Sequence, residues 1–327
     1  AVDELSEVAV PKGYQNLRTQ LLSDPDTVVV LSPQRARVLA LEDLFREPDA
    51  RQLQPGETPE LRFQGEEKLT GALVSLSMKN PPLVVFVSTG RRPAIGGPNA
   101  AYEAVAQRLR NVNFQVQEWN PQGGRSQFGQ PTPASPPPAP EEGQKAVWIV
   151  LPQPPPNPGD PMQQTGGGAQ RVAELIAQRL AAGDAAMVML AVPTGVMVAA
   201  ENPLARLASE WGILPQLDRL IIREQRVGET RTVALPRFEV TQWPDPTPIT
   251  RALAGMPGLF VAPAPLSLDA GEDVAVHPLV KVRSERMWTV HAEDVTSNRA
   301  VAEAAFDEDA SEPSFTIAAA AQRAISA

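Results

Sequence analysis

The strongest constraint in this sequence is a set of short apolar runs separated by stretches of helical period. Residues 83–87 (LVVFV) and 146–151 (AVWIVL) carry no charged or amide side chain, the pattern of strands covered on both faces. Residues 185–192 (AAMVMLAV) read as a further buried strand. Between these runs, Asn99 is placed to cap a helix reaching about Asn111, with Val105 and Leu109 on its inner face. Val172, Leu175, Ile176 and Leu180 form a second helical stripe, closed by Gly183. Phe114, Val116 and Glu118 alternate with Gln115, Gln117 and Trp119, which suits an edge strand. Strands alternating with amphipathic helices imply an α/β fold, a parallel sheet with helices on both faces.

The flanking sequence is patterned differently. Residues 27–31 and 37–41 are β-branched and aliphatic runs joined across Ser32-Pro33-Gln34-Arg35, the signature of a hairpin. Over 65–79, Leu69, Leu73 and Leu76 predict one face of a helix, with Glu66 and Glu67 suiting its N-terminal dipole. Asn202, Pro203 and Gly212 punctuate another helix as N-cap, first turn and stop. Beyond it, 219–223, 230–235 and 279–283 predict strands and 248–254 a short helix. These readings divide the chain into three regions. They are an N-terminal hairpin and helix region (1–80), a parallel α/β core (81–215), and a smaller strand-and-loop part completing or flanking it (216–327).

Proline sets the loops. The chain holds 35 prolines in 327 residues, about twice the usual share of ~5%. Seven fall in 121–145, a segment with almost no aliphatic residue to bury. It is expected to be an insert in the core that stays mobile. A second proline-rich loop spans 152–161.

Composition narrows function by exclusion. A net charge of −9 argues against nucleic acid as a partner, since that binding draws on clustered Lys and Arg. From Glu285 onward eight acidic residues face only three basic ones, an acidic contact surface or simply a solvated face. With no cysteine, there is no disulfide, thiolate nucleophile or cysteine metal ligand. The apolar stretch 185–200 is shorter than a membrane span and is broken by Pro193 and Gly195. Any membrane anchor is expected outside these residues.

Motifs of chemistry are sparse. His277 and His291 stand without further ligands, and neither HExxH nor a Gly-x-Ser-x-Gly elbow occurs. Gly166-Gly167-Gly168 opens a helix but lacks the Lys-Ser/Thr of a phosphate loop, and position 171 is Arg where a dinucleotide fingerprint needs Gly. Asp307-Glu308-Asp309 starts like a calcium loop, yet Glu312 occupies the position of its turn glycine. No metal or cofactor is therefore expected. The one candidate ligand-binding loop is Ser88-Thr89-Gly90-Arg91-Arg92, directly after the run 83–87. In open parallel sheets, ligands bind beyond the carboxyl ends of strands. Two arginines with hydroxyls and a glycine suit an anion or a carboxylate; an exposed turn is the competing reading.

Several segments in order resemble a known family. They are Phe63-x-Gly65-Glu66 opening a Leu69-Thr70-x-Ala72-Leu73 helix, then the strand 83–87 ending in Thr89-Gly90. Asn202-Pro203-Leu204, Trp211-Gly212-Ile213, Pro248-Ile249-Thr250 and Ser284-x-x-x-Trp288 follow. This order is similar to the auxiliary component of ABC-type transport systems, the family that includes the GldG-like gliding-motility proteins. The resemblance implies a Rossmann-like or amidotransferase-like α/β fold. It also implies an extracytoplasmic, periplasmic position in a membrane-anchored protein, with transporter permease or ATPase subunits or envelope proteins as partners. Many relatives carry Gly-His-Gly-Glu where this chain has Thr89-Gly90-Arg91-Arg92, so whatever that His and Glu do does not carry over.

The leading expectation is a non-catalytic accessory or scaffold domain of a transport or motility assembly. The alternative is a small-ligand or glycan-binding module using the crevice near Arg91 and Arg92. A hydrolase with an unrecognised site is least supported by the motifs.

Overall fold

The computed structural model describes residues 27–32, 36–46, 62–63, 65–77, 80–90, 93–97, 100–111, 114–121, 135–152, 167–193, 202–227, 231–241, 243, 247–253, 257–283, 286–295 and 314–324. It is a mixed α/β protein with one four-stranded parallel sheet and several small antiparallel sheets. The chain divides into two compact units. One comprises Ala1–Val84, Ile95–Gln117 and Pro138–Ala146; the other comprises Val85–Ala94, Glu118–Pro137 and Val147–Ala327.

In the first unit, β1 (Thr27–Leu31) and β2 (Ala36–Ala40) pair antiparallel as the expected hairpin. The short strands β3 (Phe45–Arg46) and β4 (Arg62–Phe63) pair with each other. Helix α1 (Gly65–Ser77) follows. Its buried stripe keeps Leu69 of the expected leucines but turns towards Ala72: both pack with Leu39 and Leu44, while Leu73 is 59% exposed. The hairpin lies close against the helix, and the small Ala72 lets the two approach where a leucine would hold them apart. Helix α2 (Glu103–Asn111) shows the same rotation, burying Ala106 and exposing Val105. Asn99, its expected cap, lies outside the described residues. At the start of α2 the Glu103 carboxylate accepts the Gly96 N–H and pairs with Arg110.

The parallel sheet has the order β6-β5-β7-β8, formed by β5 (Leu83–Val87), β6 (Gln115–Trp119), β7 (Ala146–Val150) and β8 (Ala185–Val188). All five residues of β5 are buried, as its unbroken apolar run predicts, and β6 is an edge as expected. Strand β8 departs from the expectation of a buried strand. It ends at Val188 and forms the other edge, with Ala185 and Met187 turned outward. The alternation is the period-two pattern of a strand covered on one face rather than both. Helix α3 (Gly167–Ala181) buries Val172 and Ile176 as read from its stripe, and Gly183 leaves it at φ 88°. At the centre of the sheet the fully buried Trp148 donates its indole N–H to Asp184 and lies under the guanidinium of Arg179.

Of the proline-rich insert, residues 122–134 lie outside the described residues, and 135–145 carry side-chain bonds to the rest of the chain. Trp119 donates its indole N–H to the Ser135 carbonyl. The Gln144 amide donates to the Pro81 carbonyl at 2.7 Å and to Gln115, and its oxygen accepts the Glu141 N–H. Asn80 donates to the Glu142 carbonyl. These side-chain bonds offset the ordering cost that apolar burial could not.

Past the sheet, α4 (Pro203–Glu210) forms as punctuated. Asn202 caps the amides of Leu204 and Ala205, and Gly212 follows at φ 72°. Strand β9 (Ile213–Pro215) then pairs with β14 (Leu266–Leu268). Strands β10 (Arg219–Val227), β11 (Arg231–Leu235) and β16 (Met287–His291) form a three-stranded antiparallel sheet. Strand β12 (Arg237–Val240) pairs with β13 (Gly258–Val261), across the short helix α5 (Pro248–Ala252). The ten-residue strands β15 (Val274–Arg283) and β17 (Ser314–Arg323) make a long ribbon. A core of Ile221, Phe238, Val240, Val280, Met287 and Phe315 joins these pieces. No helix among the described residues is long and apolar enough to cross a membrane.

Candidate functional site

The order β6-β5-β7-β8 makes the chain leave β5 towards β6 and return to β7 on the opposite side of β5. The connections therefore diverge between β5 and β7, and such a switch point opens a crevice at the carboxyl ends of the strands. The loop beginning at Ser88 leaves β5 at this edge.

Ser88 is 5% exposed; its N–H extends the ladder to the Trp119 carbonyl at 3.1 Å. Its hydroxyl donates to Glu118 Oε1 at 2.9 Å. The same carboxylate accepts the Ala94 N–H at 2.9 and 3.1 Å to its two oxygens. Asn120, one residue past β6, donates to the Gly90 carbonyl at 2.7 Å. Glu118 of the edge strand and Asn120 just past it thus tie down Ser88, Gly90 and Ala94. Thr89 and Gly90 are half-buried between these ties, while Arg91 and Arg92 lie outside the described residues.

The chemistry at this point differs in character from a bare anion cradle. The Ser88 hydroxyl proton and the Ala94 amide, both suited to an anion, are directed to a carboxylate of the chain itself. Charge-assisted bonds of this kind are stronger than neutral ones, so Glu118 holds Ser88 and Ala94 to the same carboxylate. Neither Glu118 nor Asn120 was singled out from the sequence. The available signal was Glu118 sharing the inward alternation with Val116, an acid at a position that should be apolar.

The remaining sequence candidates are scattered. His277 is exposed on β15 opposite Ala320, and His291 is exposed at the end of β16 opposite Arg219. No group of three or more metal-ligating side chains converges among the described residues. Helix α3 begins at Gly167, while Gly166 and the acidic run Asp307–Asp309 lie outside the described residues. Of the C-terminal acids, Glu293 and Asp294 are exposed on a 3-10 turn. Arg286 is ion-paired with Glu224 of β10.

No protein-family model, curated protein or solved structure matches the chain.

Proposed function

We propose that this chain is a non-catalytic accessory body of an ABC-type transport or gliding-motility-like assembly, held at the extracytoplasmic face of a membrane by segments outside these residues. The carrying observation is the Glu118 tie. At the end of the sheet where α/β proteins place their reactive groups, the Ser88 hydroxyl and the Ala94 amide are both taken up by the chain's own Glu118. Backbone held at Ser88, Gly90 and Ala94 in this way suits recognition by shape, since preorganised surfaces lose less entropy on docking. The ordered motifs from Phe63 to Trp288 support the choice of assembly.

The test is affinity purification of the tagged protein from membranes of its own cell. Permease or ATPase subunits should co-purify and should dissociate as salt rises, because charged rims steer contact. Recovery free of membrane partners, or turnover of a small substrate by the pure chain, would overturn this reading.

One observation favours a second reading, a small-ligand or glycan-binding module near Arg91 and Arg92. The 88–94 loop leaves β5 beside the switch point, where ligands of open parallel sheets bind. Amide shifts at Ser88–Gly90 on adding carboxylated sugars would support it.

A further inference from the structure

Strands β12 and β13 expose one face and bury the other. Along β12 the exposed residues are Arg237 and Glu239, while Phe238 and Val240 point into the core. Along β13, Leu259 and Val261 are exposed at 52% and 66%, while Phe260 packs inward. The register sets Arg237 beside Val261 and Glu239 beside Leu259. The outer face is therefore a small square, with two opposite charges along one strand and two aliphatic side chains along the other. Leu259 and Val261 form an exposed aliphatic strip beside the two charges.

The arrangement of the square selects its partner. Consider a second copy of the same face related by a two-fold axis that runs parallel to the sheet and perpendicular to the strands. That operation exchanges the two rows of the square and keeps each column. Arg237 then faces Glu239 of the copy, and Glu239 faces Arg237 of the copy. In the other column, Val261 meets Leu259 of the copy, and Leu259 meets its Val261. Two ion pairs and two aliphatic contacts form at once, as an isologous interface requires. Sheets packed face to face stand about 10 Å apart, a gap that an arginine and a glutamate can bridge from opposite sides.

We infer that the outer face of β12 and β13 is a self-association surface, through which two copies of this chain pair about a two-fold axis. The square is small, so the pairing is weak and reversible, in the class of interfaces that bury less than about 1,200 Å². This goes beyond the accessory role proposed above, which concerns other proteins, and it is tested without them.

Sedimentation equilibrium of the purified chain should show a monomer–dimer equilibrium that weakens as ionic strength rises. Arg237→Glu leaves two acids on the face and Glu239→Arg leaves two bases. Each variant alone should lose self-association by roughly tenfold or more, because like charges then oppose each other. Mixing the two should restore a dimer, since acids of one chain meet bases of the other, and the double exchange Arg237→Glu with Glu239→Arg should pair as the parent does. That rescue also establishes that the single variants fold. A parent chain that stays monomeric at all concentrations overturns the inference. So does a dimer indifferent to both reversals, or a face whose Leu259 and Val261 methyl signals shift only on adding transporter subunits.

Discussion

All five residues of β5 are buried, whereas only Phe315 is fully buried among the ten of β17. The first strand lies inside a parallel sheet, where both faces need cover, so every position must be apolar. The second belongs to an antiparallel ribbon, where backbone pairing with β15 supplies the order and side chains need only avoid conflict. Hence the run Ala318–Ala321 stands in a strand despite the low strand preference of alanine. Burial specifies one kind of strand residue by residue; pairing specifies the other through a distant partner.

Truncation of aromatic anchors tests this contrast most severely. Phe86 is 1% exposed in β5, and Phe86→Ala should cost about 3–5 kcal/mol in denaturant unfolding. Phe315→Ala in β17 should cost about 3 kcal/mol, since that residue is the strand's buried anchor in the shared core, with Ile317 and Ala318 packed beside it. If Phe315→Ala costs nothing measurable, the ribbon is an appendage and the comparison breaks.

A smaller effect is expected at a glycine of the strand-rich part. A side chain at Gly212 would bring its Cβ within 2.2 Å of the Asp269 carbonyl oxygen, at a φ of 72°. The Asp269 amide also donates to the Gly212 carbonyl beside the β9–β14 pairing. Gly212→Ala should cost about 2–3 kcal/mol and loosen that pair, read as faster amide exchange along Leu266–Leu268.

The smallest effect lies at α2. The Gly96 N–H, and then Arg110, hold the Glu103 carboxyl below its ordinary value. A depressed folded pKa means stabilisation that is complete above the unfolded value and is lost as pH falls through the folded one. Melting temperatures of the parent and Glu103→Gln should therefore differ slightly at neutral pH and converge in acid. Equal separation at every pH would remove the carboxylate from the explanation.

What could be read from the sequence follows the same division. The runs 83–87 and 146–151, and the Asn202-Pro203 start with its Gly212 stop, state their structure locally. Strands β12, β13 and β14 are three or four residues long, each directly after a proline, too short for a period to show. The buried faces of α1 and α2 shifted because Ala72 and Ala106 are chosen by closeness of packing, which hydrophobicity alone does not rank. Residues 135–145 lacked apolar surface, and the bonds of Gln144 and Asn80 that hold them join positions over 60 apart. At the candidate site, the place of Ser88 to Gly90 at a strand's end was legible. The role of Glu118 was not, because it depends on β6 lying beside β5.

Trp148 and Trp288 are both sealed from water, one in the parallel sheet and one in the antiparallel sheet of β10, β11 and β16. Each kind of sheet therefore carries its own optical reporter. With Trp119, Trp211 and Trp243 replaced by phenylalanine, the emission of each remaining indole would move to the red when its own sheet admits solvent. Replacing Trp148 or Trp288 as well leaves one indole per protein, and comparing the two red shifts gives the order in which the sheets give way, without any label.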